Sequence, residues 1–226
     1  MSAEGDEAMI ANALRKEAPP ESGTDERLGR IVRAALEVFS ERSFRAATTE
    51  EIARRARISK RDIYARFPSK QDLLVGVIQM VLKEDDAHIS AAIERTRETP
   101  SLEERLEAIG LALLHEVLSV GMGFLARLVP SESVGQPVIG SIYFENGYVR
   151  RSRLIAAVLS NYLFNLGKSD MDTNGAAQHY LALVTHVPYL SALAGMREMW
   201  DTARAREHVG GAVRCFLRAY PELAVG

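Results

Sequence analysis

Apolar residues recur at helical spacing from about residue 24 to residue 220, and this pattern predicts an all-α chain of about nine helices. Leu28, Ile31, Ala35, Val38 and Phe39 share one face of a first helix over 24–42. Thr48, with Glu51 three residues on, forms a capping box that opens a second helix, whose small apolar face is Ile52, Ala53 and Ala56. Arg57 and Ile58 make a tight turn, Ser59 caps a third helix running through Phe67, and Pro68 ends it. A long fourth helix over 69–97, capped by Ser69, carries Leu74, Val77, Ile78, Val81, Ile89 and Ala92 in one stripe. Asp85 and His88 fall inside that stripe.

Ser101 and Glu104 open a fifth helix that is apolar almost all round in its second half, the mark of a buried central helix. A short sixth helix over 120–129 and a loop over 130–137 follow. The seventh helix is predicted over 138–166, with Gly147 inside it requiring close packing or a local bend, since interior glycine costs about 1 kcal/mol. Arg150, Arg151 and Arg153 read as its solvated face. The eighth helix is apolar at Tyr180, Leu183, Val184, Val187 and Leu190, with Pro188 expected to kink it. The ninth, over 202–220, presents Val209, Ala212, Val213, Phe216 and Tyr220.

The third helix has two unlike sides. Ile63 and Phe67, four residues apart, can pack on the second helix, while Lys60, Arg61, Tyr64 and Arg66 lie elsewhere on its surface. A helix of two turns, anchored at the back and cationic in front, suits the major groove of DNA. Residues 36–74, LEVFSERSFRAATTEEIARRARISKRDIYARFPSKQDLL, closely resemble the N-terminal helix-turn-helix of TetR/AcrR-type transcriptional regulators. The matching positions include Phe39, Phe44, Thr48, Ile52, Ala53, Ile58, Ser59, Lys60, Ile63, Tyr64, Phe67 and residues 70–74. Residues 144–172 resemble, more loosely, the regulatory domain of the AcrR-like branch. Three positions depart from the family pattern. Ser43 and Arg57 stand where glycine is usual at turns, and Asp62 stands where a small hydroxyl residue is common.

Charge distribution supports the same end of the chain. The formal net charge is only −2, but residues 24–72 hold 12 Lys and Arg against 8 Asp and Glu. A basic segment beside an acidic remainder is the footprint of an electrostatically steered DNA-binding end. Residues 1–23 are polar and acidic and read as a disordered tail, which divides the chain into 1–23, a DNA-binding domain over 24–72 and a ligand-binding and dimerisation domain over 73–226. Cys215 is the lone cysteine, read as a buried thiol, so a disulfide framework is excluded and a cytoplasmic location is expected. No 18-residue apolar stretch free of charge argues for a membrane span. No phosphate-binding glycine loop, nucleophile elbow or HExxH motif is present, so no catalytic residue, cofactor or metal site is expected.

The resulting expectation is a ligand-responsive transcriptional regulator, a repressor that releases double-stranded operator DNA when a small hydrophobic or aromatic molecule binds. The alternatives are a small-molecule-binding protein that has lost specific DNA binding and, less favoured, an all-α enzyme. Thr48, Thr49 and Lys70 are expected to hold phosphates, Lys60 and Arg61 to reach base edges, and Tyr64 and Arg66 to touch the backbone, with Ser59 capping the reading helix. Helix phase assigns the effector pocket to Asp85, His88, Ile89, His115, Met122, Leu125 and Phe144. A homodimer is expected through Val184, Val187, Leu190, Val213, Phe216 and Tyr220.

Overall fold

The computed structural model describes residues 23–168 and 170–223, so the expected tail, apart from Gly23, lies outside the described residues. Ten α-helices and no strand occur among those residues: α1 Gly23–Ala46, α2 Thr49–Ala56, α3 Lys60–Arg66, α4 Lys70–Arg95, α5 Leu102–Val117, α6 Val120–Ser133, α7 Pro137–Phe144, α8 Arg150–Asn165, α9 Thr173–Leu193 and α10 Thr202–Ala219. A π-helical turn, Glu145–Val149, runs α7 into α8, so the single long helix expected over 138–166 is one rod with an extra residue wound into it. The described residues form two compact units, divided between Val81 and Leu82, inside α4.

In the first unit, Ile31, Val38, Phe39, Ile52, Ala53, Ile63, Leu74 and Val77, all expected from the spacing, are buried together with Phe44 and Leu73, while Leu28 and Phe67 are only partly buried. Each large aliphatic side chain taken fully out of water contributes about 1.5–3 kcal/mol. Phe44 meets Phe39 edge to face at 5.1 Å. Gly76 on α4 is a close-approach glycine. A Cβ there would stand 2.7 Å from the Phe67 ring, so only hydrogen lets the end of α3 seat on α4. The two turns that lack glycine keep the left-handed backbone: Arg57 has φ 56° and Ser43 has φ 67° with ψ 155°. Ser43 thus breaks α1 near its end, and its carbonyl still accepts from the Ala47 N–H at 3.1 Å.

The second unit is built around α5, against which α9 and α10 pack. Leu106, Ile109, Leu113, Tyr180, Val184, Val213 and Phe216 fill that core. The Tyr180 hydroxyl, fully buried, donates to the Leu106 carbonyl at 2.5 Å, and burial pushes its phenol above the ordinary value. Pro188 sits within α9, where its missing N–H leaves the Val184 carbonyl without a helical donor. His208 on α10 supplies the proton instead, from Nε2 at 2.9 Å, which fixes its tautomer. Pro130 does not end α6 as the sequence led us to expect. The helix continues to Ser133, and the Ser131 and Ser133 hydroxyls bond back to the Leu128 and Val129 carbonyls at 2.8 and 2.6 Å. Cys215 is exposed, not buried.

Ser43 occupies a backbone region that is nearly confined to glycine, at a cost of about 1–3 kcal/mol for other residues. Ser43→Gly should therefore raise the unfolding free energy by about 1 kcal/mol after the entropy of the unfolded glycine is deducted. Urea denaturation of the two proteins checks this, with Ser43→Ala expected to show no gain.

Candidate functional site

The α2–α3 pair is set by its caps. Thr48 Oγ1 accepts from the Glu51 N–H at 3.2 Å, and Arg57 at the end of α2 turns the chain through its left-handed backbone. Ser59 then caps α3: its Oγ accepts from the Asp62 N–H at 3.1 Å, and its own N–H and hydroxyl donate to Asp62 Oδ2 at 3.3 and 2.8 Å. Asp62 is therefore the carboxylate half of a capping box. The Ser59 hydrogen bonds hold its pKa below the usual carboxylate value. Its second oxygen lies 4.0 Å from an Arg27 guanidinium nitrogen, so its charge is directed into the domain's own contacts.

Ile63 is buried, and Lys60, Arg61, Tyr64 and Arg66 are exposed, so α3 presents a cationic, aromatic surface. Among the described residues Arg61 and Arg66 make no salt bridge. Lys60 pairs with Glu50 on the first turn of α2, and its ammonium lies 5.8 Å from the Tyr64 ring centroid. That hydrogen bond lowers the Glu50 pKa and raises that of Lys60. The Tyr64 hydroxyl meets Thr49 Oγ1 at 3.2 Å. Thr48 is exposed, but Thr49 is buried, so its hydroxyl serves the α2–α3 contact and is not presented as a phosphate ligand.

Lys70 also takes a different role from the expected one. Its ammonium donates to the carbonyls of Phe44 at 2.8 Å, Arg45 at 3.2 Å and Ala47 at 3.2 Å, and lies 4.8 Å from the Phe44 ring centroid. An ammonium has three protons, and all three are directed at the carbonyl-rich end of α1. Lys70 is a clamp on the α1–α2 connection.

The residues assigned to an effector pocket come together only in part. His88 and His115 do meet, their rings 5.7 Å apart and edge to face, on the exposed sides of α4 and α5. Ile89, Met122 and Leu125 are buried. Phe144 does not join them: it is 53% exposed and stacks on Tyr148 at 5.4 Å. The π turn that follows Phe144 rotates α8 relative to α7, so the two do not share one continuous helical phase. The Asp85 side chain lies outside the described residues.

The expected dimer residues also divide. Val184, Val213 and Phe216 are buried in the second unit's own core, and Tyr220 is half-buried beside His179. Val187 and Leu190 are 53% and 50% exposed, and with Leu183 they form an apolar stripe along α9. The period that marks an apolar helix face cannot say which of its edges the chain itself covers.

Arg150, Arg151 and Arg153 are expected on a solvated helix face, and the structure corrects this for Arg151, which is buried. Arg151 is 8% exposed and pairs with Glu116, 1% exposed, on α5; its neighbour Arg150 pairs with Asp86 on α4. Both arginines directly follow the π turn, and a Cβ at Gly147 would lie 3.0 Å from an Arg151 guanidinium nitrogen. The misplaced glycine at 147 was the visible signal. No group of three or more metal-ligating side chains occurs among the described residues, and no single helix there is long and apolar enough to cross a membrane.

Residues 31–77 match the model of the tetR family of bacterial regulatory proteins, and residues 104–222 match that of the AefR-like transcriptional repressor C-terminal domain. The HTH-type transcriptional activator FasR of Mycolicibacterium smegmatis is 33% identical over 134 residues, which are 59% of this chain and 52% of that protein. The chain spans about half the length of the curated relatives it matches. A TetR-family structure from Mesorhizobium loti superposes with a TM-score of 0.80 over 88% of this chain and 98% of its own, at 22% identity. The flavonoid-responsive regulator FrrA does so with 0.67 over 86% and 97%, at 24% identity. At these identities the structural likeness establishes the all-α fold.

If Lys70 is a clamp, Lys70→Ala should destabilise the first unit by about 1.5–3 kcal/mol, the usual range for hydrogen bonds to a charged group. Amide hydrogen exchange should quicken around residues 44–48 while α5 and α9 keep their protection. Unchanged exchange at 44–48 would leave the clamp without weight.

Proposed function

Because the chain belongs to the TetR family of bacterial regulatory proteins, we propose that it is a ligand-responsive, DNA-binding regulator of transcription. The observation that carries the reading is α3, held by Ile63 and its cap and offering Lys60, Arg61, Tyr64 and Arg66 outward. Arg61 reads base edges, guanine O6 and N7 being its best partners, while Thr48 and Tyr64 hold the backbone. The alternative of a binding protein without DNA affinity rested on Ser43, Arg57 and Asp62. Both turns keep φ > 0, and Asp62 caps α3, so these departures leave the reading helix intact. Repression is the favoured direction, since the model matching 104–222 describes repressors, although the FasR relative is an activator.

One copy of α3 offers little groove contact, and a two-fold pair solves that by reading two half-sites about one helical turn apart. Leu183, Val187 and Leu190 on α9 supply the self-complementary apolar stripe for that pair. The effector is a hydrophobic or aromatic small molecule bound beside the His88–His115 pair, in the unit whose buried apolar residues include Ile89, Met122 and Leu125. Its binding shifts α4, a 26-residue helix about 39 Å long, which Arg150 ties to α8 through Asp86. DNA is released only to the extent that the effector prefers the DNA-free arrangement.

Duplexes selected by the protein from a random-sequence pool should yield a two-fold symmetric motif. Arg61→Ala should weaken binding to that motif by about 1–3 kcal/mol and relax its sequence at one position per half-site. Failure to enrich any motif would overturn the DNA-binding reading. Separately, light scattering should give twice the 24.9 kDa chain mass, and Val187→Asp with Leu190→Asp should return the monomer. A monomer in the wild type would sink the dimer.

A further inference from the structure

Two links run from the exposed surface of α3 to consecutive residues on the first turn of α2. Tyr64 meets Thr49, and one turn earlier Lys60 pairs with Glu50. Lys60 is thus tethered in the DNA-free protein, with its ammonium between a carboxylate and an aromatic ring. Neither partner is forced into place by burial, since the Glu50 and Lys60 side chains are 65% and 45% exposed. Glu50 is also stable without its lysine. It lies at the positive end of α2, where a carboxylate is favoured, so releasing Lys60 does not strand it.

We propose that Glu50 is a positioning residue that competes with DNA for Lys60 and so sets operator affinity below what the cationic face would otherwise reach. The inference rests on the reading that α3 binds DNA. The Lys60 ammonium cannot hold the Glu50 carboxylate and reach a base edge or phosphate together, because either task fixes the end of the same side chain. Each binding event therefore exchanges an intramolecular ion pair for an intermolecular contact. Exposed pairs are weak, so the competition is a modest brake that leaves binding possible. Glu51, one residue on, carries the same charge but pairs with Arg42 at 3.6 Å instead, and supplies the natural control. Any acid close to DNA repels phosphate, whereas only Glu50 acts through Lys60.

A double-mutant cycle on operator affinity separates these effects, using the duplex selected by the wild-type protein as probe. Glu50→Gln should tighten binding by about two- to fivefold at low salt, and by more than Glu51→Gln does. In a Lys60→Met background the excess of Glu50→Gln over Glu51→Gln should disappear. It should also shrink as salt rises and screens the exposed pair. Circular dichroism of the variants reports whether the α2–α3 fold survives, and a purely structural role would weaken binding in both backgrounds. An excess that persists without Lys60 would show direct repulsion of DNA by Glu50 and overturn the proposal, as would an absent excess. If Lys60→Met alone leaves affinity unchanged, Lys60 is outside the interface and the proposal falls with that assignment, while the Arg61 result still decides DNA binding.

Discussion

A helix of seven residues does not hold together alone in water, since nucleation consumes more conformational freedom than so few hydrogen bonds return. The existence of α3 therefore depends on its tertiary contacts. Ile63 is buried against the domain, Ser59 and Asp62 satisfy each other's polar groups at the start, and Phe67 seats on α4 over Gly76 at the end. Those contacts use one side of α3 and both ends. What remains outside is Lys60, Arg61, Tyr64 and Arg66, which makes the surface proposed to meet DNA a residue of how the helix is anchored.

The same logic separates charges that support the domain from charges that are available. Asp62 and Lys70 carry full charges on or beside the proposed reading surface, yet both are directed inward, one to the α3 cap and the other to three carbonyls. Lys60 stands between the two classes, held by Glu50 in the DNA-free protein. In the second unit, charge is used to tie helices together. Arg150 and Arg151 reach Asp86 and Glu116 on different helices from adjacent positions. Breaking a buried pair such as Glu116–Arg151 leaves an uncompensated charge, so it constrains α5 and α8 strongly even if it adds little net stability.

Local signals made the helix-turn-helix legible. Caps, turn residues and a three-to-four-residue apolar period all act within a few positions, and Thr48, Ser59, Ile63 and Pro68 mark α2 and α3 unaided. What could not be read depends on partners distant in sequence. Nothing near Lys70 indicates that its ammonium will meet carbonyls some 25 residues earlier. Phe144 lies on an exposed face just before a π turn, and composition does not show that turn, which offsets its helix from the one that follows. Val184, Val213 and Phe216 were expected at an interface and lie in the core, because an apolar period gives a face but not its neighbour. Pro130 shows the limit of breaker rules, since α6 runs through it to Ser133.

The central claim is that two copies of α3 enter adjacent major grooves on one face of DNA. Hydroxyl-radical footprinting of the wild-type protein on a selected duplex tests it most directly. The account requires two protected windows on each strand, related by a two-fold axis and separated by about one helical turn. A single window, or uniform protection without a two-fold axis, would contradict it.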